Sequence, residues 1–241
     1  MLTPDEKKRV SIDEAIYLSE DRFNEPKEIF KKICTKIDKH NYSESMNICD
    51  IGCATGEFLY YFKKIFPKSN VTGFDKSNSM IQLAKKMIPD GTFYEGDANS
   101  EQSLPKNSFD VITMTGVLSI FDDPTPSIKN SILSLKKDGS VLISGSFNPN
   151  PIDVILKYRD ATSTDTSLKS GWNVHSCHSI ERIIQKISPN AKFSWHDFEM
   201  PFEIKQTSDF MRTWTVKIDG KTSLVNGASQ IVDMKILEIN I

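Results

Sequence analysis

Two acids stand just past short apolar runs. Asp75 closes the run Val71-Thr72-Gly73-Phe74, and Asp97-Ala98 follows the run at residues 92–96. A carboxylate has two oxygens with lone pairs, so Asp75 can accept both hydroxyl hydrogens of a ribose diol. Asp97 can accept from an exocyclic amine, while the Ala98 N–H can donate to a ring nitrogen. A third device precedes them. Residues 47–58 read Asn-Ile-Cys-Asp-Ile-Gly-Cys-Ala-Thr-Gly-Glu-Phe, an apolar run, a glycine turn and a helical stripe, with Asp50 inside the run. Glycines let the chain turn sharply and let a ligand come close, and N–H groups at a helix start favour negative charge. The backbone of residues 52–56 could therefore hold a carboxylate or a phosphate.

The elements that must position these groups alternate. Strands are expected at 47–51, 71–75, 92–96, 109–114 and 140–144. Helices lie between them: one after Gly56, one carrying Met80, Leu83, Ala84 and Met87, and one with Ile128, Ile132 and Leu135 that finishes at residues 136–139. Such alternation implies a parallel sheet. In an open parallel sheet, ligands bind beyond the carboxyl ends of the strands. The residues there are 52–56, Asp75-Lys76, Asp97-Ala98, 115–117 and Ser146-Phe147.

Two helices precede the first strand, one starting at the Ser11-x-x-Glu14 capping box and one after Pro26. Tyr17 sits in the first of them and is a candidate to cover the ligand. Beyond Phe147 a helix is expected over 152–158, then a polar loop, then Gly-Trp-Asn-Val-His at 171–175 and a capped helix with Ile180, Ile183, Ile184 and Ile187. The tail reads as strands at 193–202, 212–218, 222–225 and 231–239, with a hairpin across Asp219-Gly220.

The motif set Asp50-x-Gly52-x-x-x-Gly56, Asp75, Asp97-Ala98 and the strand at 109–114 resembles the class I S-adenosylmethionine-dependent methyltransferases, over roughly residues 43–146. The resemblance implies a three-layer α/β Rossmann-like fold, with a mostly parallel seven-stranded sheet and an antiparallel C-terminal edge. It also implies S-adenosylmethionine as cofactor. By the same resemblance Gly52, Cys53 and Gly56 pack on its methionine half, and Asp50 orients the loop or reaches the cofactor amine through water. Asp75 with Lys76 holds the ribose, Asp97 with Ala98 the adenine, and Thr115, Gly116 and Val117 line the transfer site. A dinucleotide-binding dehydrogenase is the competing reading of the glycine loop, but the third glycine of G-x-G-x-x-G is absent.

One domain over 1–241 is expected: N-terminal helices (1–42), a cofactor-binding core (43–146), a substrate-covering insertion (148–178), and a C-terminal helix with strands (179–241). The insertion offers Trp172, His175 and His178. His175 is the candidate general base, since a neutral imidazole takes a proton near pH 7. Tyr17, Trp172 and His178 are candidates for substrate contact.

The formal net charge is −2, and there are few arginines, which speaks against nucleic acid as a partner. Base-amino methylation in this family also goes with an Asn/Asp-Pro-Pro-aromatic turn after the fourth strand, where this chain has Thr113-Met114-Thr115-Gly116. A small-molecule acceptor methylated on oxygen or nitrogen is therefore expected, ahead of a protein side chain or a non-catalytic cofactor binder. The four cysteines lack zinc spacing and no metal is expected. With no run near the ~18 apolar residues of a membrane span and no apolar leader, a cytoplasmic location without membrane association is expected.

Overall fold

The computed structural model describes residues 17, 22–38, 42–100, 103–209 and 211–241. The expected helix start at Ser11 lies outside them, although Tyr17 is helical. Five strands alternate with helices as the sequence requires: β1 (Asn47–Ile51), β2 (Asn70–Asp75), β3 (Thr92–Glu95), β4 (Phe109–Thr115) and β5 (Leu135–Asn148). Two more, β6 (Lys192–Asp197) and β7 (Met234–Asn240), complete a sheet of order β3-β2-β1-β4-β5-β7-β6. β1 to β5 pair in parallel, and β7 runs antiparallel to both its neighbours. This is the mostly parallel Rossmann-like sheet with an antiparallel edge.

Period-2 alternation sends successive side chains to opposite faces. Ile48, Val111, Leu142 and Ile236 pack on one face with α1 (Glu28–Asp38), α2 (Glu57–Ile65) and α3 (Asn78–Met87). Ile112, Met114, Ile143 and Leu237 pack on the other, against α4 (Thr125–Ser134) and α5 (Cys177–Ile187). Three layers result. Ile33, Ile37, Leu59 and Phe62 are fully buried between α1, α2 and the sheet.

The structure departs from the sequence-based elements in four places. The helix expected to end at residues 136–139 stops at Ser134, because Leu135 already pairs with Phe109 and Lys136 Nζ reaches Asp110 Oδ2 at 2.8 Å. The helix expected at 152–158 is extended chain: Val154 exchanges both backbone hydrogen bonds with Val174, and Lys157–Tyr158 pairs with Lys169–Ser170. The strand expected over 193–202 ends at Asp197. Finally, the chain at 231–239 is divided between two sheets. Ile231–Val232 joins Trp214–Ile218 and Lys221–Val225 in a separate three-stranded sheet, and β7 begins at Met234. The hairpin itself turns at Asp219 and Gly220, both with positive φ, as expected for Asp-Gly.

Removing the Phe62 ring, which has no exposed surface, should lower stability by about 3–5 kcal/mol. Urea denaturation of Phe62→Ala checks this.

Candidate active site

A cavity of about 360 Å³ opens over the carboxyl ends of β1 to β5 and beneath the added segments. Its lining includes Gly52, Asp75, Lys76, Asp97, Ala98, Thr115, Gly116 and Val117, together with Tyr17 and Trp172. Ten sequence-derived candidates are thus brought to one cavity.

Asp75 is the joint of this wall. Its Oδ2 accepts from Ala54 N and its Oδ1 from Ser77 N, both at 2.9 Å. One carboxylate therefore fixes the glycine loop to the end of β2 and to the start of α3, where Ser77 is the N-cap. The same carboxylate lines the cavity. Next along the sheet, Asp97 takes Asn99 N on Oδ1 (2.9 Å) and Lys76 Nζ on Oδ2 (3.1 Å). Burial alone would raise the Asp97 pKa, but the Asn99 amide and the Lys76 ammonium outweigh it and hold the carboxyl below its usual range. The Ala98 N–H has no acceptor among the described residues. An acid and a free amide side by side suit a heterocycle edge that carries both a donor and an acceptor.

The glycine turn works differently from the expectation of bare amides. Gly52 N and Cys53 N both donate to Phe74 O (2.7 and 3.1 Å), Ala54 N donates to Asp75, and Gly56 N to Cys53 O (2.9 Å). These donors are consumed in holding the loop. What the turn supplies is close approach. Gly52 has φ +72°, and a Cβ there would lie 2.3 Å from Val117 Cγ2. Gly56, with φ +84°, brings α2 against Ala84 and is not part of the cavity wall. Cys53 is buried in the core on the α1–α3 side, and burial raises its thiol pKa well above the ordinary value.

Asp50 also lies beneath the wall rather than on it. Its register partner Thr113 donates Oγ1–H to Oδ1 at 2.7 Å. Burial, opposed by that hydrogen bond, raises its pKa to about 7. Nearby, Glu57 accepts from Thr55 Oγ1 at 3.2 Å and lies 3.9 Å from Lys27, and Lys27 Nζ in turn reaches the Tyr17 hydroxyl at 3.4 Å. A polar seam thus runs from under the loop to the aromatic ring on the cavity wall.

His175 is placed away from the chemistry. It is buried, outside the cavity lining, and its Nε2 lies 2.9 Å from Phe121 O and 3.2 Å from Leu118 O. Carbonyls only accept, so Nε2–H is the donor and the ring is a clasp between the insertion and the turn after β4. Asn173 makes the same join: its N donates to Ser119 O, and its Nδ2 to Phe121 O and Asp122 Oδ1. His178 is exposed on α5 and is not part of the lining either. The structure thus places His175, expected as the base, and His178, expected at the substrate, outside the cavity lining.

Other lining residues escaped the sequence reading. Ser119, Ile120 and Phe121 lie in or just after a short 3-10 turn that follows β4, Met234 starts β7, and Arg212, Thr213 and Asn226 flank strands of the three-stranded sheet. The first group continues the expected strand end at 115–117. The last group carries no spacing signal.

Fold and cavity together define a Rossmann-like α/β protein with a pocket over the carboxyl edge of its parallel strands. The family described as "Methyltransferase domain" matches residues 42–213, and the chain belongs to that family. Among curated relatives, a demethylmenaquinone methyltransferase of Thermotoga maritima is 31% identical over 105 residues, which is 43% of this chain and 44% of the relative. A malonyl-[acyl-carrier protein] O-methyltransferase of Bacillus cereus is 30% identical over 131 residues, 53% of this chain and 48% of the relative. The chain spans less than half the length of these curated relatives. The solved structure of the YcgJ protein from Bacillus subtilis shares the fold, with TM-score 0.55, 16% identity, 86% of this chain and 96% of that chain.

Gly52→Ala should cost about 2–4 kcal/mol, from left-handed backbone strain and the Val117 clash together. Adding Val117→Ala should restore the clash part, which a double-mutant cycle in urea measures. The raised carboxyl of Asp50 sets a pH signature. Folded, it keeps its proton up to about pH 7, whereas the unfolded carboxyl releases it near ~3.9. Its contribution is therefore fully present below ~4 and is lost as pH rises through about 7. Asp50→Asn should flatten the stability–pH profile in that window, read by thermal melts.

Proposed function

We propose that this chain transfers the methyl group of S-adenosylmethionine to an oxygen or nitrogen of a small metabolite. The observation that carries the reading is a single cavity with two unlike walls: the acids after β2 and β3 on one side, and the added segments on the other. The residues present fit the cofactor. Asp75 is a carboxylate on the cavity wall suited to ribose hydroxyls, Asp97 and the Ala98 N–H match the adenine edge, and Lys76 steadies Asp97. At Gly116 an added Cβ would meet nothing within 4 Å, so the wall beside the end of β4 is open. When bound, the cofactor supplies an electrophilic methyl carbon on a sulfonium.

The chain's own part is to bind, orient and enclose. Val117, Phe74 and Met80 supply apolar wall, and Trp172 with Tyr17 covers the cavity from the added segments. Among the described lining residues there is no histidine or cysteine, which suits an acceptor whose lone pair needs no base to release it. Holding such an acceptor in line can supply much of the acceleration. The relatives named for demethylmenaquinone and malonyl methylation support a small acceptor group, and the balanced charge supports an acceptor other than nucleic acid. Among the described residues no helix is long and apolar enough to cross a membrane.

Asp75→Ala should weaken S-adenosylhomocysteine binding by about 1–3 kcal/mol, the scale of hydrogen bonds to a charged group. Isothermal calorimetry measures this, with a thermal melt to confirm the folded state. Undiminished affinity in a folded variant would refute the ribose assignment.

A further inference from the structure

Glu57 is a buried acid outside the cavity lining. It opens α2 directly after Gly56 and is 2% exposed. Its Oε1 accepts from Thr55 Oγ1 at 3.2 Å, and its Oε2 lies 3.9 Å from Lys27 Nζ. Burial raises the Glu57 pKa, opposed by the charges of Lys27 and Arg22 and by the Thr55 hydrogen bond. A buried acid is costly unless a partner meets its charge, and Lys27 stands in that place.

The lysine is itself fixed. It sits just before α1, where Lys27 O accepts the amides of Phe30 (2.9 Å) and Lys31 (3.4 Å). Its side chain is 25% exposed, and its Nζ lies 3.4 Å from the Tyr17 hydroxyl and 4.7 Å from the centre of the Tyr17 ring. A cation within about 6 Å of a ring centre is drawn to the electron-rich face of the ring. The guanidinium of Arg22 is farther off, 5.7 Å from the same centre. Tyr17 lines the cavity, and so does Ala54, the loop residue that Asp75 fixes.

We propose that Lys27 and Glu57 are positioning residues for the cofactor site: the carboxylate at the start of α2 holds the ammonium, and the ammonium holds the Tyr17 ring on the cavity wall. The contacts form one series from the glycine loop to the cover, and neither charged group lines the cavity itself. A ring held in this way retards the escape of whatever lies beneath it. The two residues therefore govern how long a bound nucleoside stays. This rests on the cofactor reading given above, in which Tyr17 covers the site.

The test measures release of tritiated S-adenosylhomocysteine from the full chain, chased with excess unlabelled compound. Lys27→Met should speed release about tenfold, the scale of a partly desolvated cation–π contact. Tyr17→Ala should speed it as much, and the double variant no further than either alone. Lys27→Arg keeps a cation that stacks on rings and pairs with carboxylates, and it should restore most of the slow release. Glu57→Gln should act in the same direction as Lys27→Met, since the amide keeps a hydrogen-bonding group for Thr55 and loses the charge. Unchanged release in a folded Lys27→Met would overturn the proposal. So would effects of Lys27→Met and Tyr17→Ala that multiply in the double variant. Should Glu57→Gln not melt cooperatively, the Lys27 and Tyr17 variants, at part-exposed positions, decide by the same criteria. The Lys27–Tyr17 cycle repeated in urea without ligand reads the latch directly, and non-additive losses of stability are expected there. A chain that shows this coupling but binds no S-adenosylhomocysteine would refute the cofactor reading and leave the latch standing. One that binds it and shows no coupling in either cycle would do the reverse.

Discussion

The rest of the site depends on one carboxylate being shared three ways. Asp75 receives an amide from the glycine loop and another from the start of α3, and it lines the cavity. Local geometry and ligand recognition are thereby placed on the same atoms. The loop cannot move without disturbing the group that would hold the ribose, and α3 cannot shift its first turn. Such an arrangement lowers the entropy lost on binding, because the acceptor is already oriented by contacts that exist without the ligand.

Packing around the loop follows the same economy. Gly52 is close enough to Val117 that no side chain fits between them, so the ends of β1 and β4 meet directly. Beneath them Asp50 and Thr113 form a buried polar contact. It is tolerated because the carboxyl retains its proton near neutrality and each partner is a hydrogen-bonding group. On the other side of the cavity the insertion is fastened by Asn173 and His175 to the backbone after β4, so the cover and the strand end form one unit.

The core could be read from the sequence because its determinants are local. Runs such as Ile48-Cys49-Asp50-Ile51, broken by Gly52 and followed by a helical stripe, specify strand, turn and helix without reference to anything distant. The acids at 75 and 97 were found because they end strands. The added parts were less legible. Residues 152–158 have a composition that suits either helix or strand, and pairing between Val154 and Val174 decides for extended chain. His175 has the right chemistry for a base, but its role is set by two carbonyls more than fifty residues away in sequence. Arg212 and Asn226 reach the cavity through long-range packing of a small sheet, and no periodicity announces that. The amides of the glycine loop were misjudged for a similar reason: their acceptor, Phe74 O, belongs to the next strand.

The division of the last β segment at Asp233 has a consequence for how such a catalyst diversifies. Its amino-terminal part, Ile231–Val232, belongs to the small sheet, and its carboxy-terminal part is locked in register between β5 and β6. Changes between Asp209 and Val232 can therefore reshape one compartment while the ladder beyond the junction keeps its alignment. Under the proposed function, preference for a new acceptor becomes a problem of exchanging a cassette, with the nucleoside-holding half inherited intact.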